Sequence, residues 1–260
     1  MNATIKALTR HQLGILLGRR RLFLVVLLAV FPVVICGFVH GVSYLKGGSP
    51  MGAKALFQGL ASGYYLIATL LLNLILGLAL VSDEVEGRTL PYLICRPIPR
   101  AHIVYGKYLA LLAVGELALL ASLVAAYLAC YAPSGRGAVL HGLRGLAGAL
   151  VWIALSVPAY GAAFTFLGAL ARKPLNVAAA FVFLWELALG CTPTALRKLT
   201  ITHYLLSLSP ESQPLNTLVD LLGLRSSTWV SVVSLLALTV IYVWGAGQVF
   251  AKRQYISAAE

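Results

Sequence analysis

Six stretches of this chain are apolar for long enough to cross a lipid bilayer, and very few charges interrupt them. They run approximately 22–42, 59–81, 108–131, 146–170, 176–192 and 228–250. A spanning helix needs about 20 mainly apolar residues, because it must rise through hydrocarbon about 30 Å thick. No water in that layer satisfies backbone N–H and C=O groups, so each run must be helical. Only 11% of the residues are charged, against about 25% in soluble domains. The chain therefore reads as all-α, a polytopic membrane protein with six transmembrane helices in one domain over residues 1–260. The fifth run is the least regular, because Glu186 and Pro193 interrupt it. The first run is not a cleavable leader, being longer than a signal-peptide core and lacking an Ala-x-Ala-type exit.

Lysine and arginine set the orientation. With the N-terminus in the cytoplasm, thirteen of the twenty bases fall in cytoplasmic segments and seven on the other side. That asymmetry places both termini inside. Net charge is +12, but the bases cluster at the ends of apolar runs without interleaved exposed aromatics. That pattern suits topology and anionic lipid contact and speaks against nucleic acid. Residues 2–21 carry a broad apolar face of Ile5, Leu8, Leu13, Leu16 and Leu17 edged by Lys6, Arg10, Arg19 and Arg20. This suits an amphipathic helix lying at the inner surface; a simple polar tail is the competing reading. Residues 192–227 form the longest outer stretch, with three prolines but also helix-spaced Leu and Ile positions. One or two short helices packed at the outer face are expected there.

Catalytic chemistry is poorly represented. No His-Glu-x-x-His, Gly-x-Ser-x-Gly or paired intramembrane aspartate occurs. The run Gly47 to Lys54 lacks the Lys directly after its second glycine, and the following Ser or Thr, that a phosphate loop requires. The four cysteines, Cys36, Cys95, Cys130 and Cys191, form no CxxC and no Cys/His cluster. They read as small buried hydrophobes, with neither a metal site nor a disulfide framework. Glu116 and Glu186 lie inside apolar runs, where a carboxylate costs several kcal/mol unless protein or water receives it. A structural role between helices is favoured over a substrate or proton path. Glu186 is expected near Arg197, Lys198 or His203. Asn73 is expected to bond between helices. An intramembrane enzyme built on Glu116 or Glu186 would lack a second catalytic group.

One charged island breaks the pattern. Asp83 to Lys107, DEVEGRTLPYLICRPIPRAHIVYGK, holds three acids, four bases and three prolines between the second and third runs. Under the orientation above it faces the cytoplasm. Asp83 and Glu86 have the spacing of a capping box, which would start a short helix. Gly87 permits close approach. Thr89, Leu90, Tyr92, Leu93 and Ile94 would give that helix an apolar side, and Pro97 and Pro99 would turn the chain back. Such a helix would lie across the cytoplasmic ends of the spans.

The run Glu84-Val85-Glu86-Gly87-Arg88-Thr89-Leu90, then Leu93, then Arg96-Pro97-Ile98-Pro99-Arg100, then Gly106-Lys107 resembles permeases of the ABC type-2 transporter family. Arg88 separates the usually adjacent Gly and Thr. Weaker echoes are Leu170 to Pro174, Trp185-Glu186 ahead of Leu199 to Tyr204, and Lys252-Arg253. The resemblance implies a transmembrane subunit with no catalytic residue, metal or cofactor of its own. It implies a second permease subunit, identical or different, and a separate ATP-binding cassette subunit that holds ATP and Mg. It assigns contact with that ATPase to Glu84, Glu86, Gly87, Thr89, Leu90, Leu93, Arg96, Pro97 and Arg100. It further implies an exporter of lipid-like, amphipathic or hydrophobic compounds in the cytoplasmic membrane of a prokaryote. A non-transporting membrane scaffold or immunity protein is the alternative from another class.

Overall fold

The computed structural model describes residues 9, 12–14, 16, 18–45, 52–86, 100–171, 174–189, 195–208 and 226–252. Among these, every regular element is helical. Helix α1 is Arg19–Leu45. Helix α2, Ala53–Gly59, passes through a π turn, Leu60–Tyr64, into α3, Tyr65–Glu86. Helix α4 is Arg100–Tyr131 and α5 is Arg136–Leu170. Helix α6, Pro174–Ala180, continues as a π-helix, Phe181–Leu189. A 3₁₀ turn, Ala195–Leu199, precedes α7, Ile201–Leu208. Helix α8, Thr228–Lys252, closes the described chain.

Five of these helical runs are long and apolar enough to span: Arg21–Leu45, Ala53–Leu78, Ala101–Ser134, Arg136–Leu170 and Thr228–Ala251. The fifth apolar run of the sequence is shorter, with Pro174–Leu189 continuous in helix. The fourth span starts ten residues before the apolar run that announced it. Arg136, Arg144 and several glycines depress hydropathy there without breaking the helix. At 35 residues, α5 is roughly 50 Å long, so its start projects beyond the hydrocarbon. Gly135, at φ 89°, makes the reversal between α4 and α5, a conformation that a Cβ would strain.

Helix α5 is the hub, packing on α8, α3, α4 and α6. Lipid removes the hydrophobic drive for helix association, so close approach and dispersion must supply it. The sequence provides the means: Ala159, Gly161, Ala162, Ala163, Gly168 and Ala169 are all buried on α5. A Cβ added at Gly77 of α3 would sit 2.7 Å from the Phe164 Cβ, and one at Gly161 would sit 2.8 Å from Leu111. At Gly77 the backbones of α3 and α5 are therefore as close as a hydrogen-only side chain allows, and at Gly161 neighbouring side chains fill the space. Helix α1 lies at the edge and packs chiefly on α4. The Ser122 hydroxyl donates to the Ala29 carbonyl at 2.7 Å and the Tyr64 hydroxyl donates to Leu28.

Before α1, residues 12–14 and 16 are helical, with Gln12 and Leu16 buried and Gly14 exposed. The Thr9 hydroxyl donates to the Gly106 carbonyl at 3.1 Å. This N-terminal segment therefore rests against the start of α4. In the stretch expected to carry short helices, the described residues form the turn Ala195–Leu199 and α7.

Candidate functional site

Two places, with Asn73 and Glu116 apart from both, hold the polar groups that the sequence singled out, and a cavity makes a third. The first is the junction between α3 and α4. Helix α3 does not stop before the island but runs through Asp83, Glu84 and Glu86. The expected capping box is therefore corrected: Asp83 lies inside α3 instead of starting a new helix. The physical reason is that the Leu-rich run of α3 carries its register straight past Ser82. Arg100 begins α4. Gly87, Thr89, Leu90, Leu93, Arg96 and Pro97 lie outside the described residues.

The second place is Glu186, in the π-helical continuation of α6 and fully buried. Its Oε1 accepts the Ile201 N–H at 3.1 Å. Its Oε2 accepts the Thr202 N–H at 3.0 Å, the Thr202 hydroxyl at 2.5 Å and the Tyr160 hydroxyl at 3.5 Å. Ile201 and Thr202 open α7, whose first N–H groups have no partner within the helix. Glu186 therefore caps α7 from a distant part of the chain and pins it to α6 and α5. His203, one of the expected cationic neighbours, turns elsewhere: its Nε2 lies 3.0 Å from the Ser226 hydroxyl. Burial first, and then the charges of Arg197 and Lys198, lower its pKa to about 4. His203 is thus neutral at physiological pH and no cation.

Asn73 and Glu116 are separate from that latch. The Asn73 side-chain N–H donates to the Thr69 carbonyl of its own helix at 2.8 Å. Its Oδ1 is buried without a partner among the described residues, and Gly161 is the residue that leaves room for it. Among the described residues the expected interhelical hydrogen bond of Asn73 is therefore not made, because its donor turns back along α3. Glu116, on α4, is half-buried with Oε2 enclosed and unpartnered among the described residues.

The third place was not foreseen. A cavity of about 510 Å³ opens between the start of α2 and the junction of α4 and α5. Phe57, Tyr131 and Trp152 give it an aromatic wall, while Gly142, Gly145 and Gly148 of α5 present no side chains and leave it open. Lys54, Gln58, Ser134 and His141 supply polar groups. Trp152 is held by its indole N–H, which donates to the Leu205 carbonyl at 2.9 Å, so α7 braces one wall. The Gly-x-x-Gly-x-x-Gly spacing was the available sequence signal, but it becomes a groove only once α2 lies opposite. The size suits a small-molecule or acyl-chain site, apolar within and polar in few places.

A family model described as ABC-2 family transporter protein matches residues 15–254. No curated protein matches the chain.

Proposed function

The chain belongs to the ABC-2 transporter family, and on that premise we propose that it is the membrane half of an ATP-driven exporter of amphipathic compounds. It is a multi-pass membrane permease subunit, and the family implies association with an ABC ATPase. The match over residues 15–254 carries this reading; the remaining features support its finer points. In this reading both termini are cytoplasmic, Pro174–Leu189 is a sixth, thin crossing, and a second permease subunit completes the unit. ATP and Mg are held by the partner ATPase.

Coupling follows from the way the island is mounted. Helices α3 and α4 carry residues 83–86 and 100 directly into the bundle, and both pack on α5. A push on the segment between them would pass along two rigid rods to the hub and to α8. Glu84 and Glu86 would meet basic or backbone donors of the ATPase, each charged hydrogen bond contributing about 1.5–3 kcal/mol. Gly87, Thr89, Leu90 and Leu93 would supply close and apolar contact. Arg96, Pro97 and Arg100 would return the chain to α4.

The outer cavity supports an amphipathic cargo. Its aromatic wall would take an apolar tail and its Lys54 side a polar or anionic end. The deciding experiment is co-purification of the ATPase with a Glu84→Lys/Glu86→Lys chain, with transport measured alongside. Loss of ATPase capture with the spans still folded is expected. Wild-type capture and transport would overturn the coupling assignment.

A further inference from the structure

Cys36 of α1 and Cys130 of α4 are 94 residues apart in the chain, yet their sulfurs approach to 2.6 Å. Both side chains are fully buried. Both are free thiols in this structure, and their sulfurs lie close to the ~2.03–2.05 Å of a disulfide. Among the described residues no group of three His, Cys, Asp or Glu could hold a metal. We propose that Cys36 and Cys130 form a disulfide that ties the first span to the third.

The location gives the bond a purpose and a chemistry. The first span is the least enclosed: 17% of its most apolar stretch is buried, against 61% for Arg136–Leu170. It leans chiefly on α4, and lipid supplies no hydrophobic force to hold it there. Cys36 is in the second half of α1 and Cys130 is one residue from the end of α4. With the N-terminus inside, which is the orientation adopted above and on which this inference rests, both lie toward the outer side. Thiol oxidants act there, whereas the cytoplasm keeps thiols reduced.

The oxidant is a thiol–disulfide oxidoreductase of the outer side, in its disulfide form. One cysteine thiolate attacks a sulfur of that disulfide, forming a mixed disulfide and releasing the oxidant's other sulfur as a thiolate. The second cysteine attacks the mixed disulfide, closing the Cys36–Cys130 bond and releasing the oxidant's remaining sulfur. The two cysteines lose two electrons to the oxidant and their two protons end on its thiols. Burial disfavours the attacking thiolate, so the exchange belongs to the stage before α1 docks on α4.

The test counts free thiols in membranes from cells quenched with acid, denatured without reductant and treated with a maleimide polymer. The wild-type chain should take two labels, rising to four, its full cysteine count, after reduction. Cys36→Ala and Cys130→Ala should each take three without reductant. Peptide mapping of the unreduced wild type should recover one linked pair containing Cys36 and Cys130, which keeps the test valid if either variant folds poorly. Four labels on the unreduced wild type overturn the proposal, even if a membrane-soluble oxidant then crosslinks the pair. So does a linked pair containing Cys95 or Cys191. Labelling of Cys95 from outside the cell reads the orientation separately, so a failure of topology and a failure of the bond are told apart.

Discussion

Replacing Glu186 with glutamine should loosen the packing of α7 on α5 and α6 without changing what the chain transports. The carboxylate receives only donors: the Ile201 N–H at one oxygen, and the Thr202 N–H and hydroxyl with the Tyr160 hydroxyl at the other. An amide has one accepting oxygen and one NH₂. Whichever way the new side chain turned, its NH₂ would face an N–H of the first turn of α7. The Glu186→Gln variant loses at least one charge-assisted hydrogen bond, about 1.5–3 kcal/mol, and leaves a buried donor unmet. Shape is conserved, so no cavity term adds to this. At about 2–4 °C per kcal/mol, the melting temperature should fall by roughly 5–10 °C. Because Trp152 bonds to Leu205 of α7, its fluorescence should report the loosening at lower temperature than the whole-chain transition. The assay is thermal unfolding of the purified chain in detergent, followed by fluorescence and circular dichroism, beside transport of several substrates. An unchanged melting temperature with an altered substrate profile would refute the latch and place Glu186 on the transport path.

Three further outcomes are expected. In Gly77→Ala the new Cβ meets the Phe164 Cβ at 2.7 Å; the helix-propensity gain of about 1 kcal/mol is outweighed by an overpacking cost of about 1–3 kcal/mol, so a raised melting temperature would contradict the α3–α5 contact. His203, with its pKa lowered to about 4 from an unfolded value of about 6.5, binds more protons unfolded than folded between those values. Stability should therefore be level above about pH 6.5 and fall as pH drops toward 4. The fall should be shallower in His203→Gln, and equal pH dependence in both proteins would remove His203 as its cause. A Gly135→Cys chain should react with a membrane-impermeant maleimide from outside intact cells while Cys95 is protected; the reverse pattern would invert the topology.

Much of the architecture was legible because one physical constraint dominates it. A backbone in hydrocarbon must satisfy itself, so long apolar runs become helices whatever their neighbours do. The first, second, third and last runs matched helices with modest extensions at their ends. The fourth extended further, since a helix outside the hydrocarbon no longer needs apolar residues. The cost of a carboxylate in lipid required that Glu186 have partners, and the sequence alone predicts that much. Which partners it found depended on the π-helical register of Phe181–Leu189, which aims Glu186 at the N-terminus of α7. Local chemistry suggested cations; tertiary placement supplied backbone donors. Asn73 shows the same limit, since its choice between its own helix and a neighbour is settled by where Gly161 leaves space.

Composition, the approximate places of most spans, base asymmetry and the island from Asp83 to Lys107 were determined by the sequence, because each is local or additive along the chain. The hub role of α5, the cavity between α2 and α5, the position of Asp83 within α3 and the meeting of Cys36 with Cys130 were decided by the tertiary structure. Each depends on which helix faces lie opposite one another. In lipid that choice rests on shape and small-residue contact more than on hydrophobicity, and no single segment carries it.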